Sequence, residues 1–142
     1  MSEQNKAVVR RLIEDHWNAK NQALVGDLFA PTTSIHTPDG VFAGHEGASS
    51  LLQAYATGFP DFRVTIDDLI ADADKVVVRW TFTGNHRGPL ADIFATGKKV
   101  SVPNVIGIFQ LAGGKVSDAH FCWDKYSLLQ QLGALPSSSA RA

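Results

Sequence analysis

Apolar residues near the start of the chain recur at Val8, Val9, Leu12, Ile13 and Trp17, with Arg10, Arg11 and Glu14 between them. That spacing gathers one apolar stripe on a helix from about Gln4 to Ala19, for which Ser2 is an N-cap candidate. Leu24, Val25, Leu28 and Phe29 predict a second, short helix that stops at Pro31, whose ring would clash with a continuing turn. Ser34 to Thr37 reads as a short strand entering the turn TPDG. Leu51, Leu52 and Tyr55 mark a third helix over Gly44 to Thr57, ended by Gly58. After FPDF the period changes to two. The runs 63–71, 75–86, 98–111 and 115–124 are rich in Val, Ile, Phe and Trp and predict four long strands in a meander. Lys125 to Leu132 closes the chain as a helix capped by Gly133, with 136–142 as a frayed tail after a single domain over 1–135. Helices first and strands afterwards imply an α+β domain, a curved antiparallel sheet with the N-terminal helices packed on one face. Twisted sheets curl, so this arrangement encloses a conical pocket suited to a small molecule.

Charge and composition narrow the partners. Thirteen basic and 14 acidic residues are interleaved along the 142, which gives no long-range field to attract nucleic acid or an anionic membrane surface. No stretch approaches the roughly 20 apolar residues of a membrane span, and the N-terminus has no signal-peptide core. The single Cys122 cannot close an internal disulfide. The expectation is a cytoplasmic protein.

Several stretches together, LFAP, HTPDG, GFPDFRVTIDDLIADADKVVVRWTFTGNHRG, ATGKKV, GGKV and WDKYSLLQQLG, resemble the SnoaL-like polyketide cyclase group. That group lies within the nuclear transport factor 2-like, or ketosteroid isomerase-like, superfamily. The resemblance spans nearly the whole chain. It implies a cystatin-like α+β barrel over a conical pocket, a homodimer formed through the open face of the sheet, and no metal or organic cofactor. It also implies a cofactor-independent cyclase or isomerase, of the kind that includes ester cyclases, working by acid/base chemistry on a hydrophobic carbonyl-bearing molecule. A non-catalytic binder and a hydroxylase-like variant are the alternatives, because fold alone does not fix function. In the ring-closing members a histidine and an aspartate on neighbouring strands are associated with the acid/base work. Alignment on GGKV and QQLG places Gly107 and Phe121 at those positions, and neither can accept a proton.

Other polar residues are therefore the catalytic candidates. Asp61 lies between two aromatics, a setting that would raise a carboxyl pKa toward a useful base, or it closes an Asx turn after Pro60. His86 shares a strand face with Val76, Val78, Trp80 and Phe82, so it stands at the rim of the pocket or exposed at the strand end. His120 shares a face with Val116, Asp118 and Cys122; regular alternation turns it outward if Phe121 points in, and a bulge would reverse that. Asp124 suits a helix N-cap. For substrate binding, His36 on the early strand and Asn104 in the row Val100, Val102, Ile106, Ile108 are polar candidates. Trp17, Trp80, Phe82, Phe121 and Trp123 form either an aromatic wall for a flat ligand or ordinary core. Cys122 reads as a quiet buried thiol, and no HxxxH-type spacing points to a metal.

Overall fold

The computed structural model describes residues 2–135; the expected tail at 136–142 lies outside the described residues. Helix α1 (Ser2–Arg11) runs into a π-helical segment, Leu12–Asn18, and a 3₁₀ turn at Gln22–Leu24 leads to α2 (Val25–Leu28). Strands β1 (Ser34–Thr37) and β2 (Gly40–Ala43) form a hairpin before α3 (Gly44–Gly58). Then come β3 (Arg63–Asp72), β4 (Lys75–Asn85), β5 (Lys99–Ala112), β6 (Lys115–Cys122) and α4 (Lys125–Gln131). Ser2 is the first helical residue rather than the residue before it.

The six strands make one curved, open sheet in the order β2-β1-β6-β5-β4-β3. The predicted meander accounts for its antiparallel part, but β1 runs parallel to β6, so the sheet is mixed. Among the described residues it does not close, since β2 and β3 are its edges, and the barrel expected from the resemblance is an open half-pipe. Strand β2 was not foreseen: Val41 and Phe42 carry too short an alternation to be read alone.

One face of the sheet is covered. Val9 is buried from α1, Leu12, Ile13, His16 and Trp17 from the π-helical segment that continues it, Leu51 and Leu52 from α3, and Leu128 from α4. They meet Val76, Val78, Trp80, Val102, Val105, Phe109 and Phe121 from the strands. Asn18 fastens the end of the π-helical segment to β3: its Nδ2 donates to the Val64 carbonyl at 2.9 Å and its Oδ1 accepts from the Val64 amide at 2.7 Å.

His16 went unnoticed in the apolar pattern, yet it is fully buried. Its Nδ1 lies 2.9 Å from the Asn21 carbonyl, which can only accept, so the ring carries its proton on Nδ1 and Nε2 is a bare acceptor without a partner among the described residues. Burial holds its pKa below the usual 6.5. The unfolded chain then binds the extra proton first as pH falls, so this histidine's contribution is full above pH 6.5 and is lost below it, down to the folded-state pKa. Chemical denaturation between pH 7.5 and 5 should show stability declining, with up to about 1.4 kcal/mol per pH unit of the slope coming from His16 and a share of the same sign from His86, whose pKa burial also lowers. A His16→Gln variant should flatten the decline.

Candidate functional site

Between the helices and the concave face of the sheet lies a cavity of about 70 Å³. Its walls are almost wholly apolar. Trp17 comes from the π-helical segment, Leu51, Leu52 and Tyr55 from α3, Trp80 and Phe82 from β4, Val102 and Val105 from β5, Phe121 from β6, and Trp123 and Leu128 from the approach to α4 and α4 itself. Trp17, Trp80 and Phe121 meet edge to face, with centroids 5.3 to 5.5 Å apart, a preferred aromatic geometry that stiffens this wall. The five aromatic residues singled out from the sequence all line the cavity.

The polar candidates do not. Asp61 is exposed at the surface, where its carboxylate accepts from the Asn85 amide at 2.9 Å and from Asn85 Nδ2 at 2.6 Å. Those hydrogen bonds lower its pKa, the opposite of the raised base expected from its aromatic neighbours. His86 is fully buried just past β4 but lines no part of the cavity. The Thr96 amide donates to its Nδ1 at 3.1 Å, so the ring proton sits on Nε2, and burial lowers its pKa. It packs beside Phe59 and holds the 86–98 loop, outside the cavity lining rather than at the rim expected of it.

Two bulges decide the remaining orientations. Trp80 pairs with Val105 but Phe82 with Val102, so β5 carries one extra residue around Pro103 and Asn104. Asn104 absorbs it with φ of +59°, a region that asparagine tolerates better than most residues. Val102 and Val105 therefore both face inward, while Asn104, Ile106 and Ile108 face outward, and Asn104 Oδ1 accepts from Arg79. A second bulge adds Ser117 to β6 between Val116 and Asp118. It turns Val116 in with Ala119 and Phe121 and leaves Asp118, His120 and Cys122 on the outer face. His120 is exposed, as is Cys122, which is not the buried thiol expected. His36, paired beside His120 across the parallel β1–β6 junction, also faces outward.

Gly107 and Phe121 pair directly across β5 and β6. A Cβ added at Gly107 would lie 2.6 Å from the Trp80 ring and 3.0 Å from the Phe121 ring. Trp80 thus fills the space that a side chain at 107 would need.

Polarity enters the cavity from one side. Tyr55 donates its hydroxyl to Asp39 Oδ2 at 2.6 Å, and Lys125 Nζ lies 2.6 Å from Asp39 Oδ1. Burial, then the hydrogen bond and negative charge of Asp39, push the Tyr55 pKa far up, so its phenol stays protonated. Trp123 Nε1 is buried with no acceptor among the described residues. Asp124, beside it, caps α4 by accepting from the Ser127 amide at 2.9 Å. Sequence reasoning missed this group. Asp39 sits in the TPDG turn and Lys125 is 86 positions further on, so only the fold brings them together.

The family profile for SnoaL-like polyketide cyclases matches residues 7–132. The chain belongs to that family. Among solved structures, this SnoaL-like chain is similar to a candidate SnoaL-like polyketide cyclase from Jannaschia sp. CCS1, with 25% identity, 95% of each chain covered and a TM-score of 0.87. It is also similar to TsrD from Streptomyces laurentii, with 32% identity, 91% of this chain and 97% of that one covered and a TM-score of 0.79. A protein from Catenulispora acidiphila with a ketosteroid isomerase-like fold shares 21% identity over 91% of this chain and 93% of its own, at a TM-score of 0.76, which shows the fold alone. No curated protein matches the sequence.

Proposed function

We propose that this SnoaL-like protein holds a flat, hydrophobic, carbonyl-bearing small molecule in its cavity and does so as a binder, with no acid/base pair inside. The observation that carries this reading is the filling of the Gly107 and Phe121 positions by the rings of Trp80 and Phe121. Aromatic walls suit a planar ring system. Trp123 Nε1 is the donor for a ligand carbonyl, because a buried N–H without a partner gains most from one.

All three tryptophans of the chain line the cavity, so intrinsic fluorescence reports its occupancy directly. Titration with 1-tetralone is expected to quench saturably. Trp123→Phe should weaken 1-tetralone by about tenfold, the upper value of one neutral hydrogen bond, and leave its deoxygenated analogue tetralin nearly unchanged. Equal losses for both compounds would remove the role given to Trp123, and absence of saturation would remove the binding reading.

A second reading, catalytic enolisation, is favoured by one observation: Asp39 is hydrogen-bonded to the cavity residue Tyr55. In it, Asp39 takes the proton beside the carbonyl and Trp123 N–H supports the developing enolate. Solvent deuterium uptake at C2 of 1-tetralone, followed by NMR, separates the two. Protein-accelerated exchange that disappears in Asp39→Asn supports catalysis; exchange at the background rate supports binding alone.

A further inference from the structure

On the outer face of the sheet, away from the cavity, the parallel junction of β1 and β6 sets His36 beside His120 in register. Their imidazoles stack at 4.2 Å with only 4° between planes. Asp118, two residues before His120 on the same strand, reaches both: its Oδ1 lies 3.3 Å from His36 Nε2 and its Oδ2 3.0 Å from His120 Nε2. The three donor atoms lie within 4.8 Å of one another. Regular alternation from Asp118 to Cys122 keeps Asp118 and His120 on this face, and the Ser117 bulge turns Val116 away from them to the covered side.

We propose that His36, Asp118 and His120 form a binding site for a divalent transition-metal ion of the zinc class. Donors bound at about 2.0 Å in a tetrahedron are about 3.3 Å apart. The two imidazole–carboxylate contacts, 3.3 Å to Oδ1 and 3.0 Å to Oδ2, are near this value, and the carboxylate would have to turn one oxygen to the shared centre as the ion takes the place between it and the rings. With the ion bound, each neutral ring would hold its single N–H proton on Nδ1 and present its Nε2 lone pair to the ion. Because the rings are parallel, each must tilt to aim its Nε2 lone pair at a shared centre. The side chains are 40% and 60% exposed, which leaves them room to do so. Imidazole nitrogen with one carboxylate selects zinc, copper, nickel or cobalt over magnesium and calcium, which prefer all-oxygen shells. Two protein nitrogens and one carboxylate leave a fourth position open to water or to a further ligand.

The HxxxH-type spacing that sequence inspection seeks is absent here. His36 and Asp118 are 82 residues apart and meet only because β1 adds to the sheet in parallel.

Isothermal titration of the full chain with zinc chloride, and separately with magnesium chloride, tests the site. One zinc per chain and no heat with magnesium are expected. His36→Ala, His120→Ala and Asp118→Asn should each weaken zinc by at least about tenfold, while Cys122→Ser, which removes the exposed thiol nearby, should leave it unchanged. The substitutions lie at exposed or half-exposed positions, and circular dichroism of each variant checks that the fold is kept. In the cobalt-loaded protein, visible absorption bands should disappear with either histidine. No zinc binding by the wild type, or affinity that survives all three substitutions, overturns the proposal; loss confined to Cys122→Ser overturns it in favour of a thiol.

Discussion

Gly107→His is expected to destabilise the protein by about 3 kcal/mol, the upper range for forcing atoms into a packed core. The Tm should fall by roughly 10 °C for a domain of this size. The first atom of any side chain at 107 would stand 2.6 Å from the Trp80 ring, and Phe121 closes the opposite side at 3.0 Å. Trp80 is 4% exposed and held by edge-to-face contacts with Trp17 and Phe121, so a shift toward the cavity it borders would break both contacts. Gly107→Ala should show most of the same loss, since the collision is with Cβ itself. Combining Gly107→Ala with Trp80→Leu should cost less than the two single changes added together, because residues in contact couple. Thermal melts of the wild type, Gly107→His, Gly107→Ala, Trp80→Leu and the double variant decide the matter. A Gly107→His variant with an unchanged Tm would mean that the space beside Trp80 is open and can hold a titratable side chain.

Val105→Phe is expected to weaken 1-tetralone binding by roughly 100-fold, or about 2.8 kcal/mol. Val105 faces the cavity from the inward side of the Asn104 bulge, opposite Trp80 in register. A phenyl ring there occupies the space in which the ligand would lie. The ring also replaces empty volume with contacts, so the Tm should change little. Fluorescence titration read beside thermal melts separates exclusion of the ligand from loss of the fold. Affinity equal to wild type would place the ligand elsewhere.

Much of this protein could be read directly from its pattern of residues. The four long strands and α3 lie within a few residues of where alternation and helical spacing put them, because each buries one face and so repeats its signal over many positions. The aromatic wall was legible for the same reason: Trp80 and Phe82 share the more apolar face of β4, and that face is the covered one. The absence of a titratable group at 107 and 121 was also visible in the residues themselves.

What could not be read depends on contacts distant in the chain. A bulge adds one residue and reverses the facing of everything beyond it, and neither Asn104 nor Ser117 carries a local mark strong enough to announce it. Asp61 sits between aromatics in sequence but out in solvent in space, bonded to Asn85, so its pKa moves down instead of up.

The order of residues thus set the layer architecture and the apolar character of the hollow, which follow from the side chains that recur on one face, and it left no titratable group at 107 or 121. Tertiary structure alone decided which polar groups meet. It joined Tyr55 to Asp39 and Lys125 beside the cavity, and His36 to Asp118 and His120 outside it. The reason is physical: burial periodicity is a local property that every strand repeats, whereas a cluster of polar side chains depends on the register between strands that the chain separates by dozens of residues.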